Sequence, residues 1–152
     1  MAHSERTLIL VKPDGVRRQL VGRILGRFET AELAITALEL TYPDESRVET
    51  HYQEHQGKSF FPHLIEYLVD KPVVAAVLSG EDAVNRTRAI IGDTDPAAAP
   101  TETIRGDLGM DEMATADEEN RALRNLVHGS ADPAAAETEI DLWFPDRESE
   151  QQ

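Results

Sequence analysis

The chain has 152 residues, 40% of them hydrophobic, which predicts one globular domain around a single core. A net charge of -14, from 29 acids against 15 lysines and arginines, excludes a broad basic face for nucleic acid. Cysteine is absent, so disulfides and thiolate zinc sites are excluded as well.

The acids run along the whole chain, denser at residues 111–119 and in a tail at 145–152, and the only lysines are Lys12, Lys58 and Lys71. Many acids with so few lysines predict a salt-adapted surface. The start, MAHSERTLILVKPDG, lacks the basic-then-apolar order of a signal peptide, and no long apolar run occurs. A cytoplasmic protein without a membrane span is expected.

Residues 7–11 (TLILV) form a short apolar run ending in Lys12-Pro13-Asp14-Gly15, which predicts a strand and then a turn. Val21, Ile24, Leu25 and Phe28 recur at helical spacing, so residues 21–33 read as an amphipathic helix. In residues 34–40, Ile35, Ala37 and Glu39 alternate with Thr36, Leu38 and Leu40, as in a strand. A polar helical stretch opens at Pro43-Asp44 and reaches about His55. Residues 60–69 place Phe61, Leu64, Ile65 and Leu68 on a second core-facing helix. Residues 72–78 (PVVAAVL) are continuously apolar, as in a central strand. A helix over 81–91 closes at Gly92, and 93–103 (DTDPAAAPTET) is too rich in turn formers for regular structure. A short strand at 124–128 and a helix capped by Asp132 and running through Leu142 complete the chain. About four strands and four helices in alternation predict an α/β sandwich, one sheet covered by helices.

Two local patterns mislead. Gly57-Lys58-Ser59 looks like the end of a P-loop, but Tyr52 stands where that motif needs its first glycine. His51 and His55 are four apart on a helical stretch, yet no HExxH order and no third ligand accompany them. A solvated helix face is expected there.

The polar residues that local structure leaves unexplained say more. Lys12 ends a strand, Arg88 lies on the helix before the long loop, and Arg105 follows that loop. In an extended RNLVHGS, Asn125, His128 and Ser130 are expected on one side. Cations, hydroxyls, an amide and one imidazole suit a phosphate ligand.

Four segments, VKPDGVRR (11–18), HYQEHQGKSFF (51–61), IRGD (104–107) and RNLVHGS (124–130), occur in an order that resembles the nucleoside diphosphate kinases. The similarity runs from about residue 5 to 144. It implies a ferredoxin-like α+β sandwich with a four-stranded antiparallel sheet, in homo-hexamers or homo-tetramers. It also implies that His128 takes the γ-phosphoryl of a nucleoside triphosphate, typically ATP, and passes it to a nucleoside diphosphate in ping-pong fashion. The chemistry suits an imidazole, which is nucleophilic when neutral and forms a reactive phosphoramidate.

By the same resemblance, Glu139 orients the imidazole through Ser130, and Tyr52 stands beside the histidine. Lys12, Arg88, Thr94 and Arg105 hold the phosphates, and Lys12 and Asn125 contact the sugar hydroxyls. Phe60 stacks on the base with Leu64 beneath it. Mg²⁺ is implied as an ion held mainly by the nucleotide phosphates, not by a protein metal site. A non-catalytic nucleotide sensor and an acidic interaction protein are the rival readings, and the four ordered motifs disfavour both.

The sequence departs from the family pattern at Leu123, where glycine is usual, and at Ala131, where an acid is common. The link between IRGD and the histidine strand is extended by about one helix's worth of residues, over 108–124. Within it Thr115 and Glu118 fit a capping box, and Asp117 and Arg121 stand at i, i+4. A surface helix over 116–123 is expected.

Overall fold

The computed structural model describes residues 4–146; most of the acidic tail, from residue 147 onward, lies outside them. Four strands are present among the described residues: β1 (Glu5–Val11), β2 (Ala34–Thr41), β3 (Val73–Gly80) and β4 (Val127–Gly129). They pair antiparallel throughout in the order β2-β3-β1-β4, the ferredoxin-like arrangement.

The two central strands read as unbroken apolar runs because helices cover both faces of the sheet. Ile9, Val11, Val74, Ala76 and Leu78 face one side, where Ile24 and Phe28 of α2 (Val21–Thr30) and Ile91 of α5 (Ala83–Ile91) complete a cluster. Leu8, Leu10, Ala75 and Val77 face the other. There they meet α3 (Glu45–His51), α4 (Phe61–Leu68) and α8 (Pro133–Trp143) through Val48, Leu68, Ile140 and Trp143. Asp44 and Asp132 accept bonds from Arg47 N and Ala135 N, each such cap being worth about 1 kcal/mol. Gly92, at φ 95°, closes α5 as expected.

Four expectations need correction. The register of β2 slips between Ile35 and Ala37, so these residues pack in opposite clusters although two apart. The turn after β1 is a short helix, α1 (Pro13–Arg17), which Pro13 can begin because it needs no N–H there. The long loop, expected to be irregular, holds a 3-10 turn (Pro96–Ala98) capped by Asp95, and α6 (Ile104–Leu108), capped by Thr103, follows it. A Cβ on Gly106 would lie 1.9 Å from the carbonyl oxygen of Pro100, so only glycine fits that turn. Finally, the extension forms α7 (Met113–Glu118), earlier than expected. Thr115 does not cap it; its hydroxyl donates to Glu112. Arg121 pairs with Asp111 at 2.7 Å and with Glu119 at 2.7 Å, not with Asp117.

The topology places the chemistry. Leu10 of β1 lies opposite His128 of β4, so Lys12 at the end of β1 comes beside the RNLVHGS segment.

Candidate active site

His128 lies on β4, half-buried, with its Nε2 2.9 Å from Glu139 Oε1 of α8. A carboxylate only accepts, so Nε2 carries a proton, and in the neutral ring Nδ1 is then the nitrogen with the free lone pair. Ser130 donates to the same carboxylate oxygen at 2.7 Å. Glu139 therefore holds the imidazole directly, and Ser130 steadies Glu139; the expected order, with Ser130 between them, is corrected.

Leu126 breaks the strand just before. It is fully buried with φ 74°, a left-handed conformation that costs a branched residue about 1–3 kcal/mol. Three contacts hold it there. Its N–H donates to Asp14 Oδ2 at 3.1 Å, its carbonyl accepts from Lys12 N at 2.7 Å, and Gly15 leaves room for that carbonyl. In a regular strand Asn125 and His128, three apart, would face opposite ways. The twist at Leu126 brings both to one cleft, so the simple alternation expected for them fails while their convergence holds.

That open cleft, about 350 Å³, is lined by Lys12, Arg88, Thr94, Arg105, Asn125, His128 and Glu139 among others. Lys12 Nζ donates to Asn125 Oδ1 at 2.9 Å, and Asn125 Nδ2 donates to the Thr94 carbonyl at 2.9 Å. Burial, then the nearby Arg105, lower the Lys12 ammonium to about 8, with Asp14 opposing. Arg105 is buried too, and burial followed by Arg88 brings it down to about 10, so it stays a cation at neutral pH. Arg88 is exposed on α5.

The remaining expected residues lie around this cleft. Tyr52 packs on His51 (ring centroids 4.8 Å apart), and His51 packs edge-on against His128 at 4.6 Å. Phe60 is 43% exposed and touches His55, which lines the cleft; Leu64 is packed against the core below.

Sequence reasoning missed His51, which is buried rather than on a solvated face. Its Nδ1 accepts from Trp143 Nε1 at 3.1 Å. Burial first, then His128, Lys12 and His55, hold its pKa well below the usual value, so it adds no charge beside His128. His55 does not share a helix face with His51, because α3 ends at His51 and a short 3-10 turn follows. The signal was available in Trp143, a buried donor that needs an acceptor.

The chain is similar to known proteins along almost its whole length. A family model described as nucleoside diphosphate kinase matches residues 5–149. The nucleoside diphosphate kinase of Mycolicibacterium vanbaalenii is 47% identical over 145 residues, covering 95% of this chain and 99% of that protein. A structure of the Borrelia burgdorferi enzyme, a transition-state mimic with bound vanadate and ADP, superposes with a TM-score of 0.91 at 34% identity. It covers 95% of this chain and 89% of that one. A halophilic enzyme from Halobacterium salinarum in complex with CDP gives a TM-score of 0.85 at 40% identity, over 96% of this chain and 91% of that one. The chain belongs to the nucleoside diphosphate kinase family.

Proposed function

We propose that this nucleoside diphosphate kinase moves the γ-phosphoryl of a nucleoside triphosphate, typically ATP, to a nucleoside diphosphate through a phosphohistidine at His128. One observation carries the reading. Glu139 accepts from Nε2 of His128, leaving the Nδ1 lone pair on a side chain that lines a cleft with three cations. Nδ1 forms a bond to the γ-phosphorus as the bond to the bridging oxygen breaks, and that oxygen leaves with its electron pair on the diphosphate. The Nε2 proton stays on the ring, where Glu139 offsets the charge gained. The second half-reaction reverses these steps onto a new diphosphate.

Lys12, Arg88 and Arg105 supply the positioning and charge stabilisation on which phosphoryl transfer depends. Thr94 stands with them at the phosphates, Asn125 meets the sugar hydroxyls, and Phe60 offers its exposed face to any base. A divalent cation, Mg²⁺ by resemblance, fits as a passenger on the phosphates. The cluster of His51, His128 and Glu139 is nitrogen-rich and already hydrogen-bonded, which does not suit Mg²⁺. When bound, the cation shields charge between neighbouring phosphates. Initial rates with ATP and GDP varied together test the mechanism: parallel double-reciprocal lines are expected, and intersecting lines would overturn the phosphoenzyme route.

A pH dependence follows from Lys12. A base with a lowered pKa costs stability while charged, so the free protein gains stability as pH climbs from about 8 toward 10.5. Bound phosphate favours the charged form and opposes the shift. ADP affinity is therefore expected to weaken above pH 8, by up to about tenfold per unit. Calorimetry showing flat affinity from pH 7 to 10 would contradict the role given to Lys12.

Two broader proposals rest on the surface. Leu38, Leu40 and Tyr42 stand exposed on and just beyond the edge strand β2, which supports a homo-oligomer, a hexamer or tetramer. Salt that screens charges beyond about 3 Å at 1 M is expected to stabilise a chain of charge -14. The melting temperature should rise from low to molar KCl, and a flat or falling curve would refute salt adaptation. No helix among the described residues is long and apolar enough to cross a membrane. We place the enzyme's work in the cytoplasm, maintaining the cell's nucleoside triphosphate pools.

A further inference from the structure

Behind the ribbon that carries Asn125 lies a second cleft, about 620 Å³, that shares no lining residue with the His128 cleft. Neither Phe60 nor Leu64 lines it. Its walls come from α1, one face of α4 and the return from α7. Five of the chain's fifteen lysines and arginines stand here, Arg17, Arg18, Lys71, Arg121 and Arg124, against two carboxylates, Asp14 and Glu66. In so acidic a protein that concentration is not what solubility requires.

The partners already present do not use up this charge. Arg121 is neutralised by Asp111 and Glu119, and Asp14 is engaged by the Tyr67 hydroxyl and the Leu126 N–H. Among the described residues, Arg18 and Lys71 donate only to the carbonyls of Leu108 and Glu66. Among the described residues, the exposed guanidiniums of Arg17 and Arg124 have neither hydrogen bond nor ion pair. Guanidiniums offered from two walls suit the bidentate grip of a phosphate. The volume is that of a small-molecule site, and the half-buried ring of Tyr67 gives it one flat wall.

We propose that this cleft is a second anion site, taking a small phosphorylated molecule and tuning the His128 site. Arg124 lines the new cleft while its neighbour Asn125 lines the other. Asp14 joins the two, bonding Tyr67 on one side and the backbone of left-handed Leu126 on the other. A ligand that draws Arg124 toward itself shifts Asn125, and with it the partner of Lys12. The tuning, though not the binding, rests on the kinase reading above.

Calorimetric titration of the whole chain with ADP, and separately with tripolyphosphate, tests this. Wild type is expected to take up two ADP per chain. Arg17→Ala/Lys71→Ala should keep the tighter site and weaken the other by about tenfold or more. Arg124→Ala should weaken the same second site. Tripolyphosphate filling that site would show that phosphate alone is recognised, and ADP alone filling it would assign a nucleotide. A single site for both probes, or a second site unmoved by either variant, would overturn the proposal. The ATP-to-GDP rate on the same samples reports the kinase reading separately.

Discussion

His128→Ala is expected to lower phosphoryl transfer by on the order of 10⁴-fold or more, the scale on which loss of a nucleophile acts. Among the described residues, neither of the imidazoles nearest the cleft, His51 and His55, can substitute. Nδ1 of His51 is occupied by Trp143, and burial keeps that ring neutral and enclosed. His55 lines the cleft's rim but lies on a separate turn with no carboxylate holding it. Nucleotide binding should survive, because Lys12, Arg88, Arg105 and Asn125 keep their places just after β1, on α5, on α6 and on the ribbon. Equilibrium dialysis with ADP would show near-normal affinity beside the lost rate. A variant retaining a tenth of the wild-type rate would sink the assignment.

Arg105→Ala is expected to damage folding as well as activity. Its guanidinium donates to the carbonyls of Asn125 at 3.1 Å, Gly92 at 3.1 Å and Val127 at 2.6 Å. One buried side chain thus ties the end of α5 and the start of β4 to α6. Removing it leaves three carbonyls without that donor, a loss of roughly 3–5 kcal/mol. A domain of this size has only about 5–15 kcal/mol in all, so Tm should fall by roughly 10 °C or more. Arg105→Lys should rescue little, because a single ammonium cannot span the three acceptors. A melt within about 2 °C of wild type would mean these bonds carry no stability.

Arg105 also shows where sequence reading stops. Resemblance placed it at the phosphates, and it does line the cleft, but its bonds to three backbone carbonyls depend on loops whose path no local pattern encodes. The same holds for Asp14, read only as a turn former, which holds Leu126 left-handed from 112 residues away in sequence. Signals carried within one element were legible. The apolar runs of β1 and β3, Gly92 after α5 and Asp132 before α8 all reflect local chemistry that tertiary packing reinforced. Short helices were not legible. In α6 and α7, five and six residues long, propensity is too weak to decide, and packing of Gly106 on Pro100 or of Arg121 on Asp111 sets the ends. His51 was misread because its periodicity suits a solvated face, while its burial is decided by Trp143, 92 residues later.

On the proposed route His128 itself carries the phosphoryl group between nucleotides. Brief incubation with ATP and a divalent cation, followed by mass spectrometry of peptides kept at alkaline pH, tests it most directly. One acid-labile, base-stable phosphate is expected on the peptide containing His128, discharged within one turnover when GDP is added, with GTP formed in equal amount. Phosphate on another residue, or phosphate on His128 that GDP fails to remove while GTP still accumulates, would contradict it.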